Sequence, residues 1–378
     1  MSTVRFHPGI AEIPATSWDA LRTRANPFVS HAFLYALERS GCIRPAWGWQ
    51  PHHLGLYESG RLVAAAPLYL KDNSHGEYVF DWSWASAWER AGGSYYPKLL
   101  NAVPYSPVPG PRLLAGGGEQ AAARKRVLAD AIREETTRLG LSSAHANFLD
   151  EDDRAAFGEA WLARSDVQFH WHNRDYRDFG DFLDALKAKK RKNIRQERAH
   201  VHASGLEIRM RRGGELDAAA WQQVHALYAA TFAAKGNHAT LTSAFFRALG
   251  ELGETAQVAT ASAHGRIVAM ALFLQDDATL YGRYWGTQVE LPGLHFELCY
   301  YRGIEHAIAR GLQRFEPGAQ GEHKLARGFV PVRTHSRHYL AHPQFRAAVR
   351  EALVHEARAM DAYVTELAAH APYAGVCP

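Results

Sequence analysis

The sequence predicts an α/β (α+β) chain of two tandem domains, each a central mixed β-sheet flanked by helices. Three observations carry this prediction. At 378 residues the chain has room for two domains of ordinary size. Its hydrophobic fraction of 47% and charged fraction of 22% are those of a globular protein. The two halves also repeat one order of elements: helix, antiparallel strand pair, further strand, helix, short strand. What repeats is the order of elements, with no shared residue pattern. The expected division is residues 1–165 and 166–378, with the boundary near Asp166 to Phe179.

In the first half, a strand and turn come first. "NPFVSHAFLYALERSG" (Asn26 to Gly41) reads as a helix with Phe33, Leu34 and Leu37 on its apolar face and Gly41 at its end. "HHLGLYES" and "RLVAAAPLYLKD" are two strands joined through Ser59-Gly60. "GEYVFDWSWASAWERAG" begins as a strand and turns helical. "YYPKLLNAVPYSPVPGPRLLAG" carries five prolines and cannot be a long helix, because each interior proline removes a donor and clashes with the preceding turn. Its rings suit either a loop lining a cleft or a rigid connector. "AAARKRVLADAIREETTRLG" is a helix ended by Gly140, and "LSSAHANFL" a short strand.

In the second half, "FGDFLDALKAKKRKNIRQERAHVHASG" reads as helical and "LEIRMRRG" as a strand. Helices follow at "LDAAAWQQVHALYAATFAAKG" and "TSAFFRALGELG". "AQVATASA" and "RIVAMALFLQD" are strands flanking His264-Gly265, and "ATLYGRYWG" is a third. "HFELCYYRGIEHAIARG" is a helix, and "LQRFEP" a short strand. The C-terminal helix, residues 343–370, starts at a proline, as helix starts allow.

A net charge of +4 is too small to imply nucleic-acid binding. Cys42, Cys299 and Cys377 are odd in number and lack metal-site spacing, which points to a reducing compartment. The opening "MSTVRFHPGI" has no apolar run, and no stretch approaches the ~20 apolar residues of a membrane span. The expectation is a cytoplasmic chain with no stable membrane insertion; peripheral contact and oligomeric state stay open.

Local charge is more informative. On the basic helix, residues 183–200, Lys187, Lys189, Lys190, Arg191, Lys192, Arg195 and Arg198 face a single Glu197. Lys190, Arg191, Lys192 and Arg195 are the candidate landing surface for a phosphate, of a nucleotide cofactor, a lipid carrier or RNA. A solvated helix face explains the same run. His335, His338 and His342 would align on a helix as metal ligands, but no HExxH motif or cysteine set accompanies them, and no metal is expected.

The candidate catalytic segment is "RFEPGAQGEHKLARGF". Glu316 leaves a short strand, and two glycines flank Glu322, His323 and Lys324. A carboxylate or imidazole there takes a proton from an attacking amine, and a lysine steadies a carbonyl oxyanion or holds phosphate. Tyr281, Arg283, Tyr284 and Trp285 are candidate substrate contacts from the strand "YGRYWG". Tyr105 and Arg112 join them from the proline loop, and Glu297 and Tyr301 from the helix before the catalytic segment. Cys299 is read as packing rather than as a nucleophile.

These segments resemble the bacterial FemAB-like proteins of the GNAT-type N-acyltransferase superfamily, in the peptidoglycan biosynthesis/recognition branch. The likeness rests on "PYSPVPGPR", "WHNRDYRDFGDFL", "KKRKNIRQER", "YGRYWG", "LHFELCYYRGIEHAI" and "RFEPGAQGEHKLARGF", and spans about residues 10 to 365. It implies two tandem GNAT-like domains and transfer of an acyl group to an amine on a small-molecule or lipid-linked acceptor. Acyl-CoA is the expected co-substrate, with no cofactor bound permanently. An aminoacyl-tRNA donor serving a cell-wall or lipid precursor is one alternative, and a binding protein without turnover is another. The resemblance makes Lys324 the residue that steadies the carbonyl or phosphate. The chain departs from the aminoacyl transferases in having EHK where they carry FK, and in lacking a coiled-coil arm and a Q/R-x-x-G-x-G/A loop.

Overall fold

The computed structural model describes residues 2–319 and 321–374; Cys377, counted above, lies outside them. The strands are β1 (Ser2–His7), β2 (Trp49–Pro51), β3 (His53–Glu58), β4 (Arg61–Ala66), β5 (Tyr69–Lys71), β6 (Lys98–Asn101) and β7 (Ser143–Ala146). They continue as β8 (Leu162–His172), β9 (Glu207–Arg212), β10 (Ala256–Ala263), β11 (Arg266–Gln275), β12 (Thr279–Thr287), β13 (Arg314–Glu316) and β14 (Val330–Leu340). The chain divides into two compact units. One runs to Val167 and regains Arg333–Tyr363; the other is Gln168–Val332 with the residues from Val364 on. The C-terminal helix Pro343–Ala369 therefore contributes most of its length to the first unit.

Within the first unit, β1, β3 and β4 form an antiparallel sheet, and β2-β5-β6-β7-β14 a mixed one. Its parallel pair is β6 with β7, joined through the helix Ala121–Arg138. That helix turns Leu128, Ala129 and Ile132 onto Leu54, Leu56, Ala64, Leu99 and Ala144, all buried apolar residues of one core. Within the second unit the order is β8-β13-β12-β11-β10-β9, antiparallel except for β12 with β13. The helical stretch from Leu294 to Ala309 makes that parallel crossover. Each unit is thus a mixed sheet flanked by helices, as the sequence predicts.

Local chemistry explains most boundaries. Asn26 caps a single 3₁₀ turn, and the Ser30 hydroxyl accepts from the Phe33 amide, so the first long helix begins at His31 rather than Asn26. The expected hairpin is β3 with β4, and Gly60 has φ +80° at its turn. The strand expected in "GEYVF" does not form; Glu77 of this run and the following Asp81 instead join a buried charge cluster, and a helix starts at Trp82. The helix expected from Phe179 onward breaks into Phe179–Asp184 and Ala188–His202. Two long strands, β8 and β14, escape sequence reading altogether. In β14 the buried positions are Thr334, Ser336, His338 and Leu340, so its inner face is mostly polar and the usual alternation is hidden.

That β14 assignment also moves the three histidines. His335 and His338 lie on a strand, where a separation of three puts them on opposite faces, and His342 lies beyond it. Among the described residues, no group of His, Cys, Asp or Glu could hold a metal ion. No described helix is long and apolar enough to cross a membrane.

Candidate active site

In the second unit β12 and β13 pair in parallel over only three positions, ending at Tyr281 opposite Glu316. Beyond that point β12 continues to Thr287, while the chain after Glu316 turns away as Pro317-Gly318-Ala319. A cavity of about 300 Å³ opens between them. Gly282 stands at the fork, where a Cβ would lie 3.1 Å from Pro317 Cα. Arg283, Tyr284 and Trp285 line one side, and Pro317, Gly318 and Ala319 the other.

The third wall is the irregular helix after Leu294. Glu297–Tyr301 forms a π-turn, an expansion of the helix by one residue that recurs at functional sites. It brings Cys299 and Tyr300 to the cavity beside His295. The Trp285 and His295 rings meet edge to face, with centroids 5.3 Å apart. Burial pushes the His295 imidazole down to about 4 and the Cys299 thiol up, so neither is charged near neutrality.

His323 and Lys324 complete the lining from a 3₁₀ turn, Glu322–Arg327. Gly321 has φ +119° before it, and a Cβ there would strike the His323 ring. Lys324 is 2% exposed, and its Nζ donates to the Gly318 carbonyl at 2.7 Å. Among the described residues no carboxylate lies within ion-pair distance of it, and none lines the cavity. A buried ammonium with only a neutral carbonyl for partner is poorly solvated, and burial lowers Lys324 to about 8. His323 Nε2 and the Tyr300 hydroxyl share a hydrogen bond of 2.8 Å. Burial and the Lys324 and Arg327 charges lower His323, which keeps the imidazole neutral at pH 7.

This turn is braced from the basic helix, though by residues other than those expected. Glu197 Oε1 accepts from Arg327 at 2.7 Å, and the Tyr301 hydroxyl donates to Glu197. Arg327 also donates to the His323 carbonyl at 3.0 Å and lies 3.3 Å from the centre of the Phe296 ring. Arg198 grips the buried Glu297 through two bonds of 3.0 Å. Lys190, Arg191, Lys192 and Arg195 are not among the residues lining the cavity; Lys192 and Arg195 are exposed, and Arg191 pairs with Asp184 at 3.4 Å.

The other sequence candidates separate in the same way. Arg283, Tyr284 and Trp285 line the cavity with His323 and Lys324. Tyr281 lies behind it, donating to Asp276 at 2.8 Å, and Glu297 and Tyr301 belong to the bracing network. Glu322 is exposed and outside the lining. Tyr105 and Arg112 belong to the first unit, where Tyr105 donates to the Cys42 carbonyl at 3.1 Å and Arg112 to the Pro111 carbonyl at 3.0 Å. Both are buried, and neither is among the residues lining this cavity.

Glu316 sits in the wall rather than on it. It is 4% exposed, with Arg314 Nε at 2.9 Å and the neutral His170 ring at 4.0 Å, yet neither of its oxygens is in hydrogen-bonding geometry. Burial raises its carboxyl to about 7. His295 and Tyr300 were not legible as site residues, because no motif marks the irregular helix that carries them, His295 before the π-turn and Tyr300 in it.

A model of the FemAB-like family, described as peptidoglycan biosynthesis/recognition, matches residues 9–375. Among solved structures, FemX aligns over 89% of this chain and 98% of its own, at 10% identity and a TM-score of 0.51. A conserved protein of unknown function from Bacteroides thetaiotaomicron aligns over 89% and 100%, at 13% identity and the same TM-score of 0.51. A tandem GNAT protein from the clavulanic acid biosynthesis pathway aligns over 91% and 99%, at 15% identity and a TM-score of 0.48. Likenesses at such identity concern the fold. No curated protein matches.

Proposed function

The chain belongs to the FemAB-like family, and on that footing we propose that it is an N-acyltransferase moving a short acyl group from acyl-CoA to an amine. The observation that carries this reading is the fork beyond Tyr281 and Glu316, a cavity lined by Arg283 and Lys324 with no described carboxylate. Such a lining favours a ligand bearing phosphate or a polarised carbonyl, and repels a free ammonium. For that reason acyl-CoA stands ahead of an aminoacyl-tRNA, whose α-ammonium would meet no described counter-charge there. The family's description makes a cell-wall precursor the natural source of the accepting amine.

In the reaction, the amine nitrogen bonds to the thioester carbon and the C–S bond then breaks. Lys324 steadies the oxyanion, and Arg283 a donor phosphate. Neutral His323, held by Tyr300, accepts the proton from the amine and passes it to the leaving thiolate. Glu316 is set aside as the base, since it does not line the cavity.

Calorimetric titration with acetyl-CoA and a long-chain acyl-CoA, repeated on Lys324→Ala, tests the reading. The expected result is roughly micromolar binding of acetyl-CoA, weaker binding of the long chain in so small a cavity, and about tenfold loss in the variant. No heat with either thioester overturns the acyl-CoA assignment and moves charged tRNA forward. Binding without turnover of any amine would leave a recognition protein.

A further inference from the structure

We propose that Lys324 is itself an acylation site: its amine is captured by small activated acyl compounds that enter the cavity, and the resulting amide shuts the site down. The inference rests on the transferase reading only for the identity of the natural donor. Its own support is geometric. Lys324 lines the cavity, is otherwise buried, and donates to a carbonyl, which supports its charge less than a carboxylate would. The contrast with Lys98, elsewhere in the chain and equally buried, is direct: that amine is held by Glu77 at 2.9 Å and Asp81 at 2.6 Å. Lys324 has Cys299 as its neighbour instead, and burial raises that thiol, so it supplies no thiolate.

An amine is nucleophilic only when neutral. With Lys324 lowered to about 8, a substantial fraction is neutral near physiological pH, whereas an ordinary lysine is almost wholly charged. The site that steadies an acyl oxygen also brings the amine within reach of the acyl carbon. The step balances simply. The Lys324 nitrogen bonds to the carbonyl carbon, the bond to the leaving group breaks, and the ammonium proton departs with that leaving group. The amide product has no charge and fills part of a cavity of about 300 Å³. Both effects remove donor binding, so the enzyme would silence itself when activated acyl compounds accumulate without an acceptor.

The test uses p-nitrophenyl acetate, a small ester that needs no CoA site. The full-length protein is exposed briefly at about pH 7.5, and the acetylated lysines are identified by peptide mass mapping. Lys189 and Lys192, both exposed, serve as internal standards in the same digest. The expected result is Lys324 acetylated at least about tenfold faster than either, despite its burial. Acetylation of Lys324 no faster than these exposed lysines overturns the proposal. In Lys324→Arg that adduct should be missing from the map while those at Lys189 and Lys192 remain. Acetyl-CoA titration of unmodified and Lys324-acetylated protein separates the two ideas. Labelling without thioester binding retains this inference and rejects the acyl-CoA reading, while binding without labelling does the reverse.

Discussion

Both units contain a parallel strand pair joined by a crossover helix, β6 with β7 in the first and β12 with β13 in the second. Buried lysines lie near each pair, Lys71 and Lys98 in the first unit and Lys324 in the second, and of these Lys98 and Lys324 differ most. In the first unit the chain after β6 runs into the proline loop, whose residues from Ala102 to Val108 are buried and which returns to pair Gly110 with Leu149 beyond β7. In the second, β12 runs on past its partner and a cavity remains. Lys98 sits among Glu77, Asp81 and Ser74, and the two carboxylates raise it against the pull of burial. Lys324 has a carbonyl, and burial wins. The same topology is closed by a paired charge in one unit and left open around an unpaired one in the other. Burial alone does not distinguish a structural lysine from a chemical one; its partners and its place on a cavity do, since Lys71, donating to the Asn73 and His75 oxygens, is also lowered to about 8.

The sharpest way to break this comparison is to remove each amine. Lys98→Met leaves Glu77 and Asp81 buried without a cation and should cost about 3–5 kcal/mol in chemical denaturation. Lys324→Met strands no carboxylate and should cost less than ~1 kcal/mol while weakening acetyl-CoA binding about tenfold. Equal losses of stability would erase the distinction.

Acid should sharpen it next. In the first unit His145 and His338 share a hydrogen bond of 2.7 Å between their Nδ1 atoms, with Asp81, Lys98, Ser143, Ser336 and Tyr95 around them. Burial lowers His145 to about 3 and His338 well below 6.5, so both stay neutral when folded. Their contribution is present above 6.5, the unfolded value, and is lost as pH falls below it. By pH 5 the loss should reach roughly 2 kcal/mol for each histidine, and His338→Gln should flatten that part of the profile by about half. An unchanged slope in the variant would assign the acid sensitivity elsewhere.

A smaller effect is expected at the fork. Gly282→Ala places a Cβ 3.1 Å from Pro317 Cα, so the fork must shift. Donor affinity should fall by about 1 kcal/mol, roughly fivefold, with little change in melting temperature. The smallest is a helix cap. The Asp217 carboxylate accepts from the Ala220 amide at 2.8 Å, and Asp217→Ala should cost about 0.5–1 kcal/mol of stability without touching ligand binding.

Much of this was legible beforehand. The tandem mixed units, the hairpins at Ser59-Gly60 and His264-Gly265, and the segment holding His323 and Lys324 all follow from periodicity, turn residues and clustered chemistry. Reading charge as function was less secure. The seven cations of the basic helix suggested a phosphate surface, yet its Glu197, together with Arg198, is what braces the site. Glu316 looked like a strand-end acid at a rim, and lies inside the wall instead.

The sequence by itself determined most of the elements and their order, because helix and strand periods, caps and glycine turns act within a few residues, while β8 and β14 took their form from the sheet around them. Only the tertiary structure decided which charges meet. Whether an amine finds two carboxylates or one carbonyl depends on contacts made across the chain, as with Lys98 and Glu77, 21 positions apart. Those contacts set the protonation state, and through it the chemistry, of residues whose identity alone leaves both open.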